Sequence, residues 1–410
     1  MAKPLEGIKV LDLTQFLAGS YCTMIFSGLG AEVIKIEPPG KGDPARHMPP
    51  YGGEKGVSIF RQTHDDISLA VLKRCRNKKG ISLNLKSPKG IEIFLRLVAK
   101  ADVVMENFRP GIMKKLGLSY SVLSEVNPKI VYCSLTGFGA EGAYANLPAF
   151  DIVIQAICGA MSINGHPDGP PTKSGIAISD LAGGLFSCIG ILSALEYCRK
   201  TGQGQQVDVS MLDSVLSMMM DEAPDYWISQ NYPSRSGSRL TRLSPFNVYK
   251  AKDGYYVIAS GSNDHWFNIL NIMGRDDLKD DKRYKDQPGR IEHADEVDAI
   301  INNWSEKRFV KDVLSALEAK GIPCSQVREI PEVLSDENLL NLGTIIPIFH
   351  PDCGEIPSVR AAGMPIRFSI SKGNFNRPAP KLGQNNSEIY FQWLGLNDKM
   401  LAELKNEGII

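Results

Sequence analysis

An aspartate close to two glycines is the part of the sequence with the clearest potential for chemistry. Asp180 stands just before or at the start of a small-residue helix predicted over Phe186–Tyr197, with Gly183 and Gly184 between them. A carboxylate at a helix start can accept backbone N–H bonds and is favoured by the helix dipole, so Asp180 fits a helix N-cap. It could instead be a carboxylate nucleophile that attacks a carbonyl carbon.

Three further segments hold polar side chains that could bind a ligand. The segment 77–86 places basic residues around a short strand, which indicates either a solvated loop or a phosphate site that uses lysine as a point charge. Asn107 and Arg109 follow a predicted parallel strand, and ligands bind beyond the carboxyl ends of such strands. The segment 42–46 is typical of a turn, and we expect Arg46 at the surface.

Metal and disulfide chemistry have little support in the sequence. The eight cysteines form no C-x-x-C pair and mostly lie among apolar residues, which is typical of reduced, buried thiols. The six histidines are scattered without metal-ligand spacing, so we expect no metal site.

Alternating strands and helices must position these side chains. Apolar runs of strand length at 8–13, 31–37, 102–106 and 129–135 alternate with helical patterns at 18–29, 88–100 and 120–126. This order predicts an α/β fold with a parallel sheet. The first turn, at 14–19, lacks the G-x-G-x-x-G spacing, so the domain is Rossmann-like without the usual dinucleotide site.

Changes of sequence texture divide the chain into three predicted parts. We predict a large Rossmann-like domain over 1–230, and a smaller α+β domain over 231–330 that follows it. The segment 331–410, which ends in two helical patterns, is expected to return to the large domain.

Composition excludes several classes of protein. The 410 residues include 46 basic and 46 acidic side chains, and this zero net charge argues against a nucleic-acid partner. The longest uncharged apolar run has 15 residues, Leu181–Leu195, whereas a membrane span needs about 20. The N-terminal sequence lacks the pattern of a signal or transit peptide, so we expect a cytoplasmic protein without a membrane partner.

Taken together, these motifs resemble those of the class III CoA-transferases, the CaiB/BaiF family, which includes formyl-CoA and carnitine CoA-transferases. The similarity covers about three-quarters of the chain, in the correct order and spacing. It lies in the segments KVLDLTQFLAG (9–19), GAEVIKIEPPGKGDPAR (30–46), NKKGISLNLKSPKG (77–90), ADVVMENFRPG (101–111), SLTGFGAEGAYANLPAFD (134–151), GPPTKSGIAISDLAGG (169–184) and TGQGQQVDVSMLD (201–213).

The resemblance implies an enzyme that moves CoA from an acyl-CoA donor to a small carboxylic acid, with the CoA thioester as substrate and no permanently bound cofactor. It implies an interlocked homodimer and a catalytic aspartate at Asp180, which forms aspartyl anhydride and aspartyl-CoA thioester intermediates. It places an acidic residue near the active site at Asp151, which we group with the expected CoA-binding residues. The other expected CoA contacts are Leu17, Ala18, Leu83, Lys86, Asn107, Phe108, Arg109, Lys115 and Met211.

Two departures from the family pattern affect the expected function. Pro38 stands where the formyl-CoA enzymes have an arginine that contacts the nucleotide. Phe150 stands where the related CoA-thioester racemases have a histidine, and a phenyl ring cannot act as an acid or base. A 2-methylacyl-CoA racemase is therefore a disfavoured alternative, and a non-catalytic CoA-binding protein is a second.

Overall fold

Six parallel strands form the central sheet of the protein, whose computed structural model describes residues 2–220 and 235–410. Val, Ile and Leu are frequent in these strands, as expected for a sheet covered on both faces. The strands of the described chain are β1 (Lys9–Asp12), β2 (Glu32–Glu37), β3 (Tyr51–Gly53), β4 (Gly56–Ser58), β5 (Ile67–Ser68), β6 (Lys79–Ser82), β7 (Val103–Glu106), β8 (Val131–Thr136), β9 (Gln206–Ser210), β10 (Phe246–Ala251), β11 (Gly254–Ala259), β12 (Cys324–Gln326), β13 (Ile345–His350) and β14 (Gly354–Ala362).

The helices lie between these strands in the chain, mostly where the helical patterns predict them. The short 3-10 helices Pro44–His47 and Asp276–Leu278 accompany them. The α-helices of the described chain are α1 (Ala18–Gly28), α2 (Leu69–Arg74), α3 (Pro88–Val98), α4 (Ile112–Lys115), α5 (Tyr120–Val126), α6 (Asp151–Ile157), α7 (Ala160–Ile163), α8 (Ile178–Thr201), α9 (Met211–Met218), α10 (Asn263–Met273), α11 (Gln287–Glu292), α12 (Ala294–Ser305), α13 (Val310–Glu318), α14 (Ile330–Leu334), α15 (Glu337–Asn341), α16 (Asn386–Leu394) and α17 (Asp398–Asn406).

The strand order of the central sheet is β6-β2-β1-β7-β8-β9, and every neighbouring pair is parallel. The predicted α/β class with a parallel sheet is therefore confirmed. Three small antiparallel sheets complete the described architecture, in the orders β4-β3-β5, β10-β11-β12 and β13-β14. Because β1 and β7 are neighbours, the turns that follow them lie side by side at the carboxyl edge of the sheet.

The two faces of the central sheet have separate apolar cores. On one face, residues of α1, α8 and α9 pack against β1, β7 and β8. On the other, α3 and the C-terminal helices α16 and α17 pack against β1, β2 and β6. The Tyr390 hydroxyl of α16 donates a 2.7 Å hydrogen bond to the Ser82 carbonyl oxygen, which ties the end of the chain to an edge strand.

The described residues form two compact units. One contains 2–160, Ser174–Met220 and Asp336–Ile410, so the C-terminal segment lies in the unit that holds the central sheet. The other contains Met161–Lys173 and 235–335, with a core built around Trp266 and Tyr249. The predicted boundary between residues 230 and 231 lies outside the described residues, and the division into domains at 1–230, 231–330 and 331–410 stays a prediction.

Helix α8 begins eight residues earlier than the pattern predicts. Its N-cap is Ala177, so Asp180 lies in the first turn and the N-cap interpretation of Asp180 is wrong. The glycine pair favoured a later start because glycine weakens helices, yet Gly183 and Gly184 lie inside α8, where close packing requires them. By length and composition, α8 is also the one described helix that could cross a membrane, although 44% of its most apolar window is buried within the chain.

Candidate active site

Asp180 lies on the side of α8 that packs against α1. Gly184, one helical turn later and on the same face, closely approaches the start of α1. A Cβ added to Gly184 would lie 2.7 Å from the Ala18 carbonyl oxygen and 3.1 Å from the Tyr21 ring. Asp180 therefore shares a face of α8 with the contact to the start of α1.

A short hydrogen-bonded chain fixes the backbone beside Asp180. Asp151, the first residue of α6, accepts a 2.8 Å hydrogen bond at Oδ1 from the Ser179 N–H and a 2.7 Å bond at Oδ2 from Gln155 Nε2. Gln155 Oε1 in turn accepts the Ser174 N–H at 2.8 Å. Both oxygens of Asp151 are thus engaged by the chain itself, and Asp151 acts as a positioning residue for the start of α8.

The electrostatic surroundings of Asp180 suit a nucleophile. Partial burial and, to a smaller degree, the nearby Asp151 carboxylate raise the pKa of Asp180 to about 6, while Arg74 acts in the opposite direction. A carboxylate with this pKa is ionised at neutral pH, yet it is more basic and less solvated than a surface aspartate. Such perturbed groups are concentrated at functional sites.

The turn between β1 and α1 is held from two sides. Asn107 Oδ1 accepts the Gln15 N–H at 2.7 Å, and Asn107 Nδ2 donates to the Gln15 carbonyl at 2.8 Å. Phe16 adopts a left-handed conformation with φ of 58°, which is unusual for a bulky residue, and its N–H donates to Asp43 Oδ1 at 3.2 Å. The Phe16 ring packs edge-on against Phe150, with the ring centroids 6.0 Å apart. An aromatic wall therefore borders the Asp151–Asp180 region.

Two buried ion pairs hold the residues on either side of this turn in place. Lys78 Nζ lies 2.8 Å from Asp12 Oδ2, and Lys35 Nζ lies 2.9 Å from Asp43 Oδ2. Burial alone would raise the pKa of Asp12, but Lys78 and Lys35 outweigh this effect and lower the pKa to about 2. The network makes the base of the turn rigid, because removing one partner would leave a buried charge.

Two surface expectations from the sequence are wrong. Arg46 is buried and forms a two-pronged ion pair with Glu37, at 2.7 Å from Nε and 2.6 Å from Nη2. In the segment 77–86, Asn77 and Lys78 are buried as well. The reason is the same in each case. Each buried polar side chain bonds to a carboxylate or carbonyl group that the fold brings to it, and the neighbouring sequence gives no sign of that group.

A pocket of about 590 Å³ lies at the carboxyl ends of β1, β2 and β6. Four of the expected CoA contacts line it: Leu83, Lys86, Phe108 and Lys115. Its floor is largely apolar, with Leu13 and Ile36 among the lining residues, and Gln15 joins it to the turn described above. Three exposed ammonium groups surround it, and within residues 2–220 and 235–410 none of the three has a hydrogen bond or ion pair; they belong to Lys41, Lys86 and Lys115.

The other expected CoA contacts lie outside this pocket. Asn107 is occupied by the Gln15 backbone, and Arg109 is exposed beside the pocket's Phe108. Met211 is buried against Gly183, where an added Cβ would lie 3.1 Å from Met211 Cγ. Leu17 and Ala18 form the start of α1, and Leu17 provides no side-chain cap for the helix amides.

Three residues of this region are not among those that the sequence predicts for the site. Lys41 follows β2, and the rule about carboxyl strand ends that selected Asn107 would have found it. Gln155 is an ordinary polar residue of a short helix, and only the fold shows its hydrogen bonds to Asp151 and Ser174. Arg74, whose charge opposes the rise in the pKa of Asp180, ends α2 in a part of the chain without a recognisable motif.

The lysine-rimmed pocket and the partly buried carboxylate of Asp180 both belong to the α/β unit that holds the central sheet, and comparison with known proteins identifies the family of this chain. The profile described as CoA-transferase family III matches residues 5–386. The human succinyl-CoA:glutarate CoA-transferase is 34% identical over 409 residues, covering 100% of this chain and 90% of that protein. The acetyl-CoA:oxalate CoA-transferase of Acetobacter aceti is 36% identical over 389 residues, covering 94% and 95%.

A solved structure agrees with these sequence relatives. The crystal structure of a CAIB/BAIF family protein from Brucella suis matches with a TM-score of 0.83 and 31% identity, covering 96% of this chain and 100% of that one. The chain belongs to CoA-transferase family III, and it is an enzyme with CoA-transferase activity. The resemblance inferred from the sequence motifs is thereby confirmed, and the non-catalytic alternative is wrong.

Proposed function

We propose that the enzyme transfers CoA from an acyl-CoA donor to a free carboxylic acid through aspartyl anhydride and aspartyl-CoA thioester intermediates on Asp180. The observation that carries the proposal is the partly buried carboxylate of Asp180, held beside the turn that also borders the lysine-rimmed pocket. A ligand in the pocket can therefore reach the carboxylate by passing along residues 14–17.

The pocket suits the nucleotide part of CoA. Its three free ammonium groups match the phosphates of the cofactor portion, since lysine binds phosphate as a point charge. Pro38 lines the pocket at the position where the formyl-CoA enzymes have an arginine. Lys41, three residues later, also lines the pocket and supplies a positive charge there. The apolar lining residues, such as Leu13 and Phe108, offer a surface for uncharged parts of the ligand.

The chemistry needs four balanced steps, of which the last two reverse the first two. The Asp180 carboxylate attacks the thioester carbonyl, the C–S bond breaks, and CoA thiolate is released. A mixed anhydride then joins Asp180 to the acyl group. The thiolate then attacks the aspartyl carbonyl, which releases the donor acid and leaves an aspartyl-CoA thioester. The acceptor carboxylate then attacks the carbonyl carbon of the aspartyl-CoA thioester, the C–S bond breaks, and CoA thiolate departs, so that a mixed anhydride joins Asp180 and the acceptor. The thiolate attacks the acceptor's carbonyl carbon, which forms the new acyl-CoA and frees the Asp180 carboxylate. Covalent catalysis divides one difficult exchange into easier steps.

The start of α1 is the best-placed source of oxyanion stabilisation. The amides of Gly183 and Gly184 lie within α8, where helical bonding to residues 179 and 180 uses them, so they are not available as donors. Of the turn amides, those of Gln15 and Phe16 are used by Asn107 and Asp43. Ala18, at the uncapped start of α1, presents an amide to a developing negative charge.

The relatives agree with an exchange between carboxylic acids. The human relative is named for succinyl-CoA and glutarate, and the Acetobacter relative for acetyl-CoA and oxalate. Phe150, 64% exposed beside Asp151, supplies no proton-transfer group, which keeps the 2-methylacyl-CoA racemase disfavoured. We therefore propose a small carboxylic acid as acceptor.

We further propose an interlocked homodimer that works in the cytoplasm without nucleic-acid or membrane partners. Exposed apolar side chains cluster on α6 and α8, and such a continuous apolar surface is typical of an interface. The balanced charge supports the absence of a nucleic-acid partner. These apolar side chains are Ile152, Val153, Ile157, Leu185, Phe186, Ile189 and Leu192.

Trapping the covalent intermediate tests the function directly. We expect wild-type enzyme incubated with succinyl-CoA or acetyl-CoA to gain a CoA-sized, hydroxylamine-labile mass that peptide mapping places on Asp180. Asp180→Ala and Asp180→Asn should lose the adduct and at least about 10³-fold of the transfer rate, as for other essential nucleophiles. Asp264→Asn, which removes an exposed first-turn aspartate of α10, is the matched control and should behave as wild type. Near-normal turnover by Asp180→Ala would refute the mechanism.

A further inference from the structure

Arg74 is a cation near the proposed nucleophile Asp180, and the described part of the chain supplies no partner for its guanidinium. It is the last residue of α2 and is partly buried. Within residues 2–220 and 235–410, its guanidinium forms no hydrogen bond and no ion pair. The neighbouring Arg76 differs, because it donates to the carbonyls of Lys73 and Ala362 and stacks on Phe375. A guanidinium taken partly out of water without a partner is costly, and a ligand anion would relieve that cost.

The carboxylates close to Arg74 do not neutralise it. Arg74 interacts electrostatically with both Asp180 and Asp43. Asp43 is fully used, since Oδ1 accepts the amides of Phe16 and Ala45 and Oδ2 pairs with Lys35. Asp180 is not within the 4.0 Å nitrogen–oxygen distance of an ion pair with Arg74. The guanidinium therefore lies close enough to Asp180 to interact with it electrostatically, yet the two groups do not pair.

The packing of the helices brings the elements that carry Arg74 and Asp180 together. Helix α2 packs against α1, and α1 packs against α8, so α2 and α8 flank the same helix. The Phe16–Phe150 pair adds an apolar wall beside Asp151. The region combines a nucleophile, an apolar wall and a free guanidinium.

We propose that Arg74 binds the free carboxylate of a dicarboxylic acyl group while Asp180 attacks the thioester carbonyl at its other end. This inference rests on the proposed function and gives it a substrate class: short dicarboxylic acids as their mono-CoA thioesters. Arg74 makes a charge-assisted contact with the acyl group, and the methylene carbons between the two carboxyl groups pack along Phe16 and Phe150. A monocarboxylic acyl group of equal length leaves Arg74 unpaired.

The first half-reaction isolates this contact, because the formation of aspartyl-CoA needs no acceptor acid. We would measure its rate against donor concentration for succinyl-CoA and for butyryl-CoA, in which a methyl group replaces the carboxylate. For Arg74→Gln we expect about a 10²-fold loss of specificity constant with succinyl-CoA and less than about a 3-fold loss with butyryl-CoA. Arg74→Lys, which keeps the charge without the planar fork, should recover part of the loss.

The outcomes separate the inference from the function on which it rests. Equal losses with both donors, or a wild-type preference for butyryl-CoA, would overturn the role of Arg74 and leave the transferase mechanism standing. Adduct formation by wild type with neither donor would overturn the proposed function and the substrate class together. Arg199→Gln, an exposed arginine in the last turn of α8, is the control and should leave both rates unchanged.

Discussion

The raised pKa of Asp180 sets the pH below which the enzyme loses its nucleophile. Only the ionised carboxylate can attack a thioester, so we expect the rate of adduct formation to fall about tenfold per pH unit below pH 6. Above pH 6 the rate should be flat with respect to this group. Stopped-flow or quenched adduct formation between pH 4.5 and 8 measures the acid limb, with Asp264→Asn as the control. A limb centred near pH 4 would contradict the proposed environment of Asp180.

Replacing Asp151 separates its charge from its hydrogen bonds. Asp151→Asn keeps a carbonyl oxygen for the Ser179 amide but removes a negative charge close to Asp180. We expect the acid limb of the adduct-forming rate to move to lower pH by up to about one unit, because a like charge that raises the pKa of Asp180 is gone. Asp151→Ala also removes the acceptor, so it should lower the plateau rate as well. An unchanged limb in Asp151→Asn would show that burial alone sets the pKa.

Side chains of this site differ in how far the sequence alone can reveal them. Asp180 and the pocket residue Lys86 are found through local motifs, since each lies in a segment whose spacing matches the family. The burial of Arg46 and Lys78 is not predictable in this way, because their partners Glu37 and Asp12 lie in β2 and β1, outside the segments that hold Arg46 and Lys78. Arg74 is marked only by the absence of such a partner, which requires the complete fold to recognise.

At the scale of elements, the contact of α8 with α1 depends on a glycine. An added Cβ at Gly184 would lie 2.7 Å from the Ala18 carbonyl oxygen, and backbone cannot move aside as a flexible side chain can. We expect Gly184→Ala to destabilise the protein by about 1–3 kcal/mol, the usual cost of overpacking, and to slow adduct formation by displacing Asp180. Urea unfolding of the variant measures the first effect.

A second glycine of the same unit provides the comparison. Gly175 precedes α8 and has open space where a Cβ would be added. Gly175→Ala should therefore keep wild-type stability and rate. Equal stability of Gly184→Ala and Gly175→Ala would show that α8 can shift away from α1 without cost.

The elements themselves follow closely from the sequence where their periodicity is strong. The helix predicted over 120–126 has those bounds, and the predicted strand at 31–37 forms as Glu32–Glu37. The start of α8 was placed too late, because the propensity of a glycine pair is local information, whereas the packing that favours the helix comes from α1. The sequence predicts that the strands are parallel, but it does not predict their order, since the hydrophobic pattern does not say which strands are neighbours.

For the whole molecule, we expect a dimer of twice the 45.0 kDa chain mass that does not dissociate on dilution. Interlocked chains cannot separate without unfolding, and light scattering across a wide concentration range tests this. Ile189→Glu, at a position 58% exposed on α8, should reduce the dimer fraction by at least tenfold, because it introduces a charge into the proposed interface. Phe391→Glu, at a position 63% exposed on α16, is the control. A wild-type monomer at all concentrations would refute the homodimer.

The way the C-terminal helices complete the sheet has a consequence for synthesis of the protein on the ribosome. Ile389, Tyr390 and Trp393 fill the core face of strands that are translated more than 300 residues earlier. At an elongation rate of about 5–20 residues per second, that face waits tens of seconds for its cover. Helix α3 covers part of that face early, but the part that α16 and α17 cover stays apolar and exposed in the nascent chain until nearly all of the chain has been translated.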